Sequence, residues 1–441
     1  MLNITTKDEE MNNFWSLETL GVREDPTSKD DQVALEFFEN TIKRGPNGQY
    51  IVKWPWKEEK DKLPSNYSLA YRRFLGLMDR LKKNPELMKE YEKIINSDIE
   101  RGVLEDARKV KGAVEHFLPH HPVVTTKKVR VVYDASAKIR GGKSLNELLY
   151  RGPIIMPELA GMLIRFRIPK IAIWADIEKA FHCLELDPED REVLKLIWLK
   201  DVKKPISFNN LRYLRFTKVP FGVISSPFLL TATVRHHLES IDDPIAKMAK
   251  NNSYVDNILI GVESKEEAFQ SYTRLKNIFI DARMNLREFI SNCTEFNEGI
   301  PVEDRLEKNK PKFLGIPWDI EKDKISLIFP PTEANTKINK RVVLKQLASI
   351  FDPLGIVSPG LLSAKLFFQS LWEKERDWDT TLSVEESEEW VKIIEGWKIE
   401  PIEIERKVLI KNGTCQLHVF SDASKDAYAA CVYIRCLTRK I

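Results

Sequence analysis

The stretch SYVDNILIG, residues 253–261, places one aspartate and one asparagine between apolar residues. Asp256 and Asn257 suit the tight turn of a β-hairpin, because short polar side chains tolerate turn conformations. A carboxylate among apolar residues needs a partner, since an unpaired buried charge is costly. A metal ion is one such partner, and a simple turn cap is the alternative. The stretch therefore predicts a hairpin in which Asp256 either binds a metal or caps the turn, and it raises the question why the next position carries an amide.

A second aspartate follows another apolar run. KIAIWAD, residues 170–176, is typical of a buried strand and ends on Asp176. Carboxylates on adjacent strand ends can share two divalent cations, and Mg²⁺ prefers a few carboxylates together with substrate phosphates. Two ions about 3.5–4 Å apart stabilise the attacking and leaving oxygens of phosphoryl transfer. The two aspartates therefore indicate a magnesium site, with a turn cap as the alternative for each residue alone.

The composition is that of a folded protein with several domains. The chain has 441 residues, of which 43% are hydrophobic and 31% are charged, and its formal net charge is +3. This length corresponds to about three domains. The overall charge does not by itself indicate nucleic-acid binding, but residues 127–143 carry six Lys and Arg against the single acid Asp134.

Cysteine usage and apolar patterning favour an intracellular protein. The five Cys residues form no CxxC pair, which argues against structural zinc and favours reduced thiols. No apolar run approaches the ~18 residues that span a bilayer. The N-terminal residues lack the pattern of a signal peptide. We therefore expect a protein that is neither secreted nor bound to a membrane.

Hydrophobic periodicity predicts an α+β fold. Helices are expected over 67–105, 226–241, 265–282 and 341–375, the last with a break at FDPLGIVSPG. Strands are expected over 128–135, 170–176, 192–199, 211–219 and 308–320, and two more near the C-terminus. Residues 379–390 are either a surface segment or the start of a helix.

Five motifs occur in a specific order along the chain. They are WADIEKAFHCLEL (174–186), VPFGVISSPFLL (219–230), SYVDNILIG (253–261), MNLREFISN (284–292) and FLGIPWD (313–319). With these motifs the chain resembles reverse transcriptases, and more closely the Pol polyprotein of Pao/BEL-type LTR retrotransposons. The resemblance extends to residues 14–22, 50–57, 63–74, 116–123, 129–138, 144–153 and 347–372, and so covers almost the whole chain.

The resemblance implies a right-hand polymerase, with an antiparallel palm sheet between helical fingers and thumb. It divides the chain into an N-terminal segment (1–115), fingers and palm (116–320), a thumb or connection region (321–412) and a truncated RNase H-like α/β start (413–441). HVFSDASKDAYAACVYI, residues 418–434, resembles the opening strands of RNase H, with Asp422 as its first metal-binding aspartate. Further acidic residues of such a site do not follow before Ile441, so we expect no RNase H activity from this chain.

The resemblance also implies the residues of the polymerase site. Asp176 and Asp256, with the backbone carbonyl of Ile177, would bind two Mg²⁺ ions, or Mn²⁺, and Asn257 takes the second catalytic position of the hairpin. The implied substrate contacts are the aromatic ring of Phe181 against the sugar, Lys127, Lys128 and Arg130 on the triphosphate, Phe221 and Gly222 beneath the incoming nucleotide and template base, and a primer grip with Leu314, Gly315 and Trp318. The alternatives are core packing for the aromatic and apolar residues and a solvated face for the basic strand.

Two positions depart from the family pattern, which shows two Asp in the hairpin and usually Lys after NLR. Here Asn257 and Glu288 stand at those positions. An amide brings no negative charge, so metal binding should be weaker. We therefore expect impaired activity and interpret Asn257 as a trace of a decaying element.

Three functional hypotheses remain open at this point. The first is an RNA-directed DNA polymerase that uses an RNA or DNA template-primer and dNTPs, in the cytoplasm or in a particle. The second is a catalytically dead remnant that at most binds nucleic acid. The third is an aspartic peptidase, which is chemically unsupported because no Asp-Thr-Gly or Asp-Ser-Gly tripeptide occurs. The sequence indicates no membrane partner and no particular oligomeric state.

Overall fold

The computed structural model describes residues 29–107, 112–125, 128–306, 311–329, 337–374, 377–397, 400–409 and 413–438. Lys127 and the motif at 14–22 lie outside these residues. The described chain forms two compact units. The first unit comprises the described residues among 1–156, 178–242 and 278–285, and the second those among 157–177, 243–277 and 286–441.

Helices and strands are interspersed along the chain. The helices are α1 (Lys29–Thr41), α2 (Tyr67–Lys82), α3 (Pro85–Glu100), α4 (Leu159–Phe166), α5 (Ser226–Glu239), α6 (Pro244–Asn251), α7 (Lys265–Asp281), α8 (Thr294–Gly299), α9 (Lys340–Ala348), α10 (Ser358–Glu373) and α11 (Val384–Glu395). The strands are β1 (Lys43–Arg44), β2 (Tyr50–Val52), β3 (Leu104–Asp106), β4 (His120–Val124), β5 (Val129–Tyr133), β6 (Ile171–Ile177), β7 (Glu185–Leu186), β8 (Lys195–Leu199), β9 (Leu211–Phe216), β10 (Ser253–Tyr254), β11 (Asn257–Val262), β12 (Leu286–Ser291), β13 (Lys312–Phe313), β14 (Ile316–Asp319), β15 (Lys324–Leu327), β16 (Ile402–Glu405), β17 (Gly413–Ala423) and β18 (Tyr428–Thr438). None of the described helices is both long and apolar enough to cross a membrane.

The first unit is built on a three-stranded antiparallel sheet in the order β3–β9–β8. Helices α2 and α3 supply its aromatic cover, because the ring of Trp198 on β8 meets Phe74 edge-on and stacks on Tyr91 at 5.3 Å. Strands β4 and β5 form a separate hairpin in which His120 lies opposite Tyr133. The predicted pairing of 192–199 with 211–219 is confirmed.

The second unit contains a four-stranded antiparallel sheet in the order β10–β11–β6–β12, called here the central sheet. A second sheet, β13–β14–β15–β16, shares a hydrophobic core with it. Phe166 of α4 stacks on Phe313 with ring centroids 4.1 Å apart and meets Trp318 edge-on at 4.9 Å. A further core forms around α9, α10 and α11, with Trp390 fully buried in it.

A buried arginine ties the start of β6 to the second sheet. Arg406 is 0% exposed, and its guanidinium contacts the carboxylate of Asp323 at 2.6 and 2.9 Å. The same guanidinium donates to the backbone carbonyls of Phe166, Pro169 and Lys170. These partners satisfy a charge that would be costly to bury alone. The guanidinium of Arg406 therefore links the loop that leads into β6 to Asp323.

Local structure differs from expectation at two places, and at a third it decides between two alternatives that the sequence left open. The turn of the SYVDNILIG hairpin lies at Val255 and Asp256, and Asn257 is already the first residue of β11. Residues 312–319 form a hairpin around Leu314 and Gly315, both at positive φ, where one strand over 308–320 was predicted. The 379–390 stretch contains the start of α11, where Ser383 and Glu386 form a capping box.

Candidate active site

One row of the central sheet brings together three polar side chains from three strands. Asp176 on β6 lies directly opposite Asn257 on β11 and, on its other side, opposite Arg287 on β12. Residues directly opposite each other in a sheet project from the same face. The row therefore presents an amide, a carboxylate and a guanidinium on one face.

Asp256 lies next to this row, in the turn before β11. Its backbone carbonyl accepts a hydrogen bond from the N–H of Ile177 at 2.8 Å, which places it beside the end of β6. The preceding residue, Val255, has φ +57°, a strained conformation for a β-branched side chain. Burial raises the pKa of the Asp256 carboxyl, and hydrogen bonds from its own N–H and from Asn257 oppose that rise. The two predicted metal-binding aspartates are thus on adjoining strand ends.

The amide of Asn257 is engaged on both sides. Its Oδ1 accepts a hydrogen bond from Trp174 Nε1 at 2.5 Å, and its Nδ2 donates to Asp256 Oδ1 at 2.9 Å. Sequence reasoning did not assign a role to Trp174. The signal was present, because Trp174 precedes Asp176 by two residues on the same strand and so faces the same side of the sheet.

Glu288 lies in a bulge of β12. The pairing of β12 with β6 shifts between Arg287 and Ile290, and Glu288 has φ +53°. Its half-buried carboxylate lies 3.9 Å from the guanidinium of Arg287. The negative charge of Glu288 therefore lies close to the positive charge of its sequence neighbour Arg287.

Phe181 and Phe221 contact each other in the first unit. Their ring centroids are 4.4 Å apart, with Phe181 8% exposed and Phe221 56% exposed. Both line a cavity of about 440 Å³, together with Gly222 and the unpredicted cation Arg151. Gly222 has φ +94°, and a Cβ there would lie 2.4 Å from the carbonyl oxygen of Tyr133, so only glycine fits.

The basic segment is less positive than its composition suggests. Lys138 pairs with Glu147 and Lys143 pairs with Glu58. The side chains of Lys128, Arg130 and Arg140 are exposed, and no acid lies within salt-bridge distance of them among the described residues. Lys128 closes the β4–β5 hairpin, since its backbone N–H and carbonyl both bond to Thr125. Arg130 lies on β5 opposite Val123.

Two further aspartates, Asp352 and the predicted RNase H residue Asp422, lie outside the central sheet. Asp422 is exposed on β17, where its Oδ1 accepts from the N–H of Ala423 at 2.9 Å. Asp352 of FDPLG accepts from the backbone N–H groups of Ile356 and Val357 at 2.9 and 2.8 Å. That carboxylate therefore organises the turn before α10, which is a structural role.

The carboxylates of the central sheet fit a divalent cation. Among the described residues no group of three or more His, Cys, Asp or Glu side chains is arranged to hold a metal ion. Mg²⁺ needs fewer protein ligands, since it keeps several waters and takes one or two carboxylates together with substrate phosphates. Asp176 and Asp256 supply two carboxylates at adjoining strand ends, and burial of Asp256 disfavours its charge in the absence of a cation.

Two family models match consecutive parts of the chain. Residues 122–317 match the model of reverse transcriptase (RNA-dependent DNA polymerase). The chain therefore carries a reverse transcriptase region. Residues 339–440 match the model of the Pao retrotransposon-like RNaseH-like domain, so an RNase H-like region of the Pao type follows. These matches confirm the resemblance predicted from the ordered motifs.

One solved structure shows the same fold, and a second one is less similar. The foamy viral protease-reverse transcriptase dRH in complex with ds DNA gives a TM-score of 0.52 at 16% identity, over 78% of this chain and 53% of that chain. The foamy viral protease-reverse transcriptase in complex with an RNA/DNA hybrid gives a TM-score of 0.48 at 17% identity, over 80% of this chain and 43% of that one. This chain thus spans about half the length of those proteins. No curated protein matches it.

Proposed function

We propose that this chain is the RNA-directed DNA polymerase region of a Pao/BEL-type retrotransposon Pol polyprotein. It extends a primer with dNTPs along an RNA or DNA template. The observation that carries the proposal is the placement of Asp176 and Asp256 at adjoining strand ends of an antiparallel sheet. This placement supplies carboxylates to divalent cations where a primer end and a triphosphate can meet.

Asp176 and Asp256, with the carbonyl of Ile177, are the residues that would hold two Mg²⁺ ions. Bound there, the ions would supply positive charge to the oxygens of the reacting phosphate. The remaining roles fall to this chain's own side chains. Arg130 and Lys128 are exposed cations suited to the triphosphate, and guanidinium binds phosphate through two parallel hydrogen bonds. The ring of Phe181 excludes a 2′-hydroxyl from the sugar position.

Template-primer binding rests on phosphate contacts. The foamy viral proteins of similar fold were solved with ds DNA and with an RNA/DNA hybrid. In this chain the exposed cations Lys128, Arg130 and Arg140 suit the same class of partner. Such contacts position a duplex without reading its sequence. They weaken as the salt concentration rises, because the counterions that binding releases then gain less entropy.

Primer extension on an RNA template with dNTPs tests the proposal. The unmodified chain is compared in Mg²⁺ and in Mn²⁺ with Asp176→Asn, which removes one metal-binding carboxylate. We expect extension by the unmodified chain and none by the variant. A Phe181→Val variant should also incorporate ribonucleotides more readily, because the smaller side chain leaves room for the 2′-hydroxyl.

A second candidate function is nucleic-acid binding without catalysis. It is favoured by Asn257, whose amide replaces a charge at the hairpin. This candidate predicts salt-dependent binding of a duplex by the unmodified chain and no extension in either metal. Extension in Mg²⁺ that is lost in Asp176→Asn would reject it.

A further inference from the structure

Asn257 lies between two groups whose hydrogen-bonding character is fixed. The indole N–H of Trp174 can only donate, and the ionised carboxylate of Asp256 can only accept. The Asn257 amide meets the first with its oxygen at 2.5 Å and the second with its nitrogen at 2.9 Å. A carboxylate at position 257 would accept from Trp174 but would oppose Asp256 with like charge. The amide is therefore the side chain that satisfies both neighbours.

The donor end of this arrangement is held rigidly. Trp174 lies on β6 opposite Leu259, so its ring reaches Asn257 along the diagonal of the strand pair. The ring also packs edge-on against Phe313 of β13, with centroids 5.8 Å apart, and borders the core of the second unit. A fixed indole fixes the amide, and the amide in turn orients the carboxylate of Asp256.

We propose that Asn257 is a positioning residue, which holds the Asp256 carboxylate through the chain of hydrogen bonds Trp174–Asn257–Asp256, called here the relay. The inference rests on the proposed metal-dependent function. In this proposal, Asp176 and Asp256 are the side chains that bind the metal. The Asn257 oxygen does not bind it, because that oxygen accepts the hydrogen bond from Trp174. Asn257 then has a role that depends on its hydrogen bond with Trp174. This differs from the interpretation of Asn257 as a trace of a decaying element.

Binding of Mn²⁺ to the full chain, measured by the electron paramagnetic resonance of free Mn²⁺, tests the relay without requiring catalysis. Trp174→Phe removes the donor and keeps most of the ring, and Asn257→Leu removes the amide. Loss of an outer-shell partner weakens metal binding by about tenfold or more. We expect about a tenfold loss in each variant and little further loss in the double variant, because both changes break one relay.

A matched control separates the relay from general loss of a tryptophan. Trp390 Nε1 donates to Gln346 Oε1 at 2.6 Å in the same unit, within the separate core around α9, α10 and α11. Trp390→Phe should leave Mn²⁺ affinity unchanged while thermal melting by circular dichroism shows its effect on stability. Asp256→Asn should abolish the site.

Two results would overturn the positioning role. One is a Trp174→Phe variant that binds Mn²⁺ as well as or better than the unmodified chain, because an Asn257 oxygen released from Trp174 would then be a ligand. The other is Mn²⁺ binding that does not depend on Asp256. Mn²⁺ binding with the expected pattern but without primer extension would keep the positioning role and reject the proposed polymerase.

Discussion

Two β-hairpins of the second unit each carry an aspartate, and their surroundings differ. The β10–β11 hairpin is short, but β11 pairs along its whole length with β6, and Ile258 and Ile260 are buried. The β17–β18 hairpin is long, with paired residues from Gly413 to Thr438, yet its apolar side chains stay exposed, as for Tyr428 at 89%.

The difference lies in what fixes each carboxylate. Asp256 is held by Asn257, which Trp174 holds in turn, and its backbone bonds to β6. The carboxylate of Asp422 accepts a hydrogen bond from the N–H of the next residue, Ala423. Strand pairing alone therefore does not make a site, because a metal needs carboxylates fixed by contacts from elsewhere in the fold.

The largest effect should separate the two aspartates. Asp256→Asn removes a charge that we propose binds the metal, and it should lower the rate of primer extension about a thousandfold, since metal binding contributes several kcal/mol to the transition state. Asp422→Asn is the matched change in the exposed hairpin and should leave extension unchanged. If both variants lost the same fraction of the extension rate, the proposed functional difference between the two hairpins would be wrong.

The second prediction concerns the ion pair between Arg406 and Asp323, which holds the loop before β6 in place. Asp323→Ala leaves the buried Arg406 guanidinium without its acid and should lower the free energy of unfolding by about 3–5 kcal/mol. The exposed pair Arg341–Asp379 has similar geometry, at 2.9 and 3.0 Å. Asp379→Ala should therefore have a much smaller effect on the free energy of unfolding, because an exposed ion pair is screened by water. Urea denaturation of both variants gives the comparison, and equal costs would contradict it.

A third hairpin, β4–β5, adds a pH test. Burial lowers the pKa of His120 to about 4, and its Nδ1 lies 2.5 Å from the Tyr91 hydroxyl oxygen. The unfolded chain then binds the proton more tightly, so stability falls as pH decreases below about 6.5. Between pH 7 and pH 5 this group should cost about 2 kcal/mol in the free energy of unfolding.

Denaturation at both pH values checks this prediction with two variants. His120→Gln should reduce the pH dependence, whereas the exposed neighbour His121→Gln should leave it intact. Burial also lowers the pKa values of three other histidines of the first unit, His116, His182 and His237, so some dependence should persist. An unchanged slope in His120→Gln would contradict the assignment.

The smallest effect is expected in the exposed hairpin. Val419 on β17 is exposed, and Val419→Thr should change the free energy of unfolding by less than about 0.5 kcal/mol. Val262 on β11 is buried, and Val262→Thr places a hydroxyl in the core at a cost of about 1–3 kcal/mol. A large effect at Val419 would mean that β17–β18 is packed against something in solution.

Several elements could be predicted because their signals are local. Short apolar runs mark β6 and β11, and the positions of Asp176 and Asp256 at their ends follow from these runs. The turn was predicted one residue late, since Asp and Asn favour turns more than Val does. The register that pairs Asn257 with Asp176 overrides this preference and forces Val255 to positive φ.

The sequence by itself determined the order of the motifs, the strands and the two aspartates of the candidate site, because these depend on residues close together in the chain. Only the tertiary structure decided what Asn257 does. Its partner Trp174 is 83 positions away, and the contact forms only when β11 pairs with β6. The same holds for Arg406, which meets Asp323 from 83 positions away. Whether a side chain can donate or accept a hydrogen bond is known from its type, but its partner is decided by which distant residues the fold brings next to it.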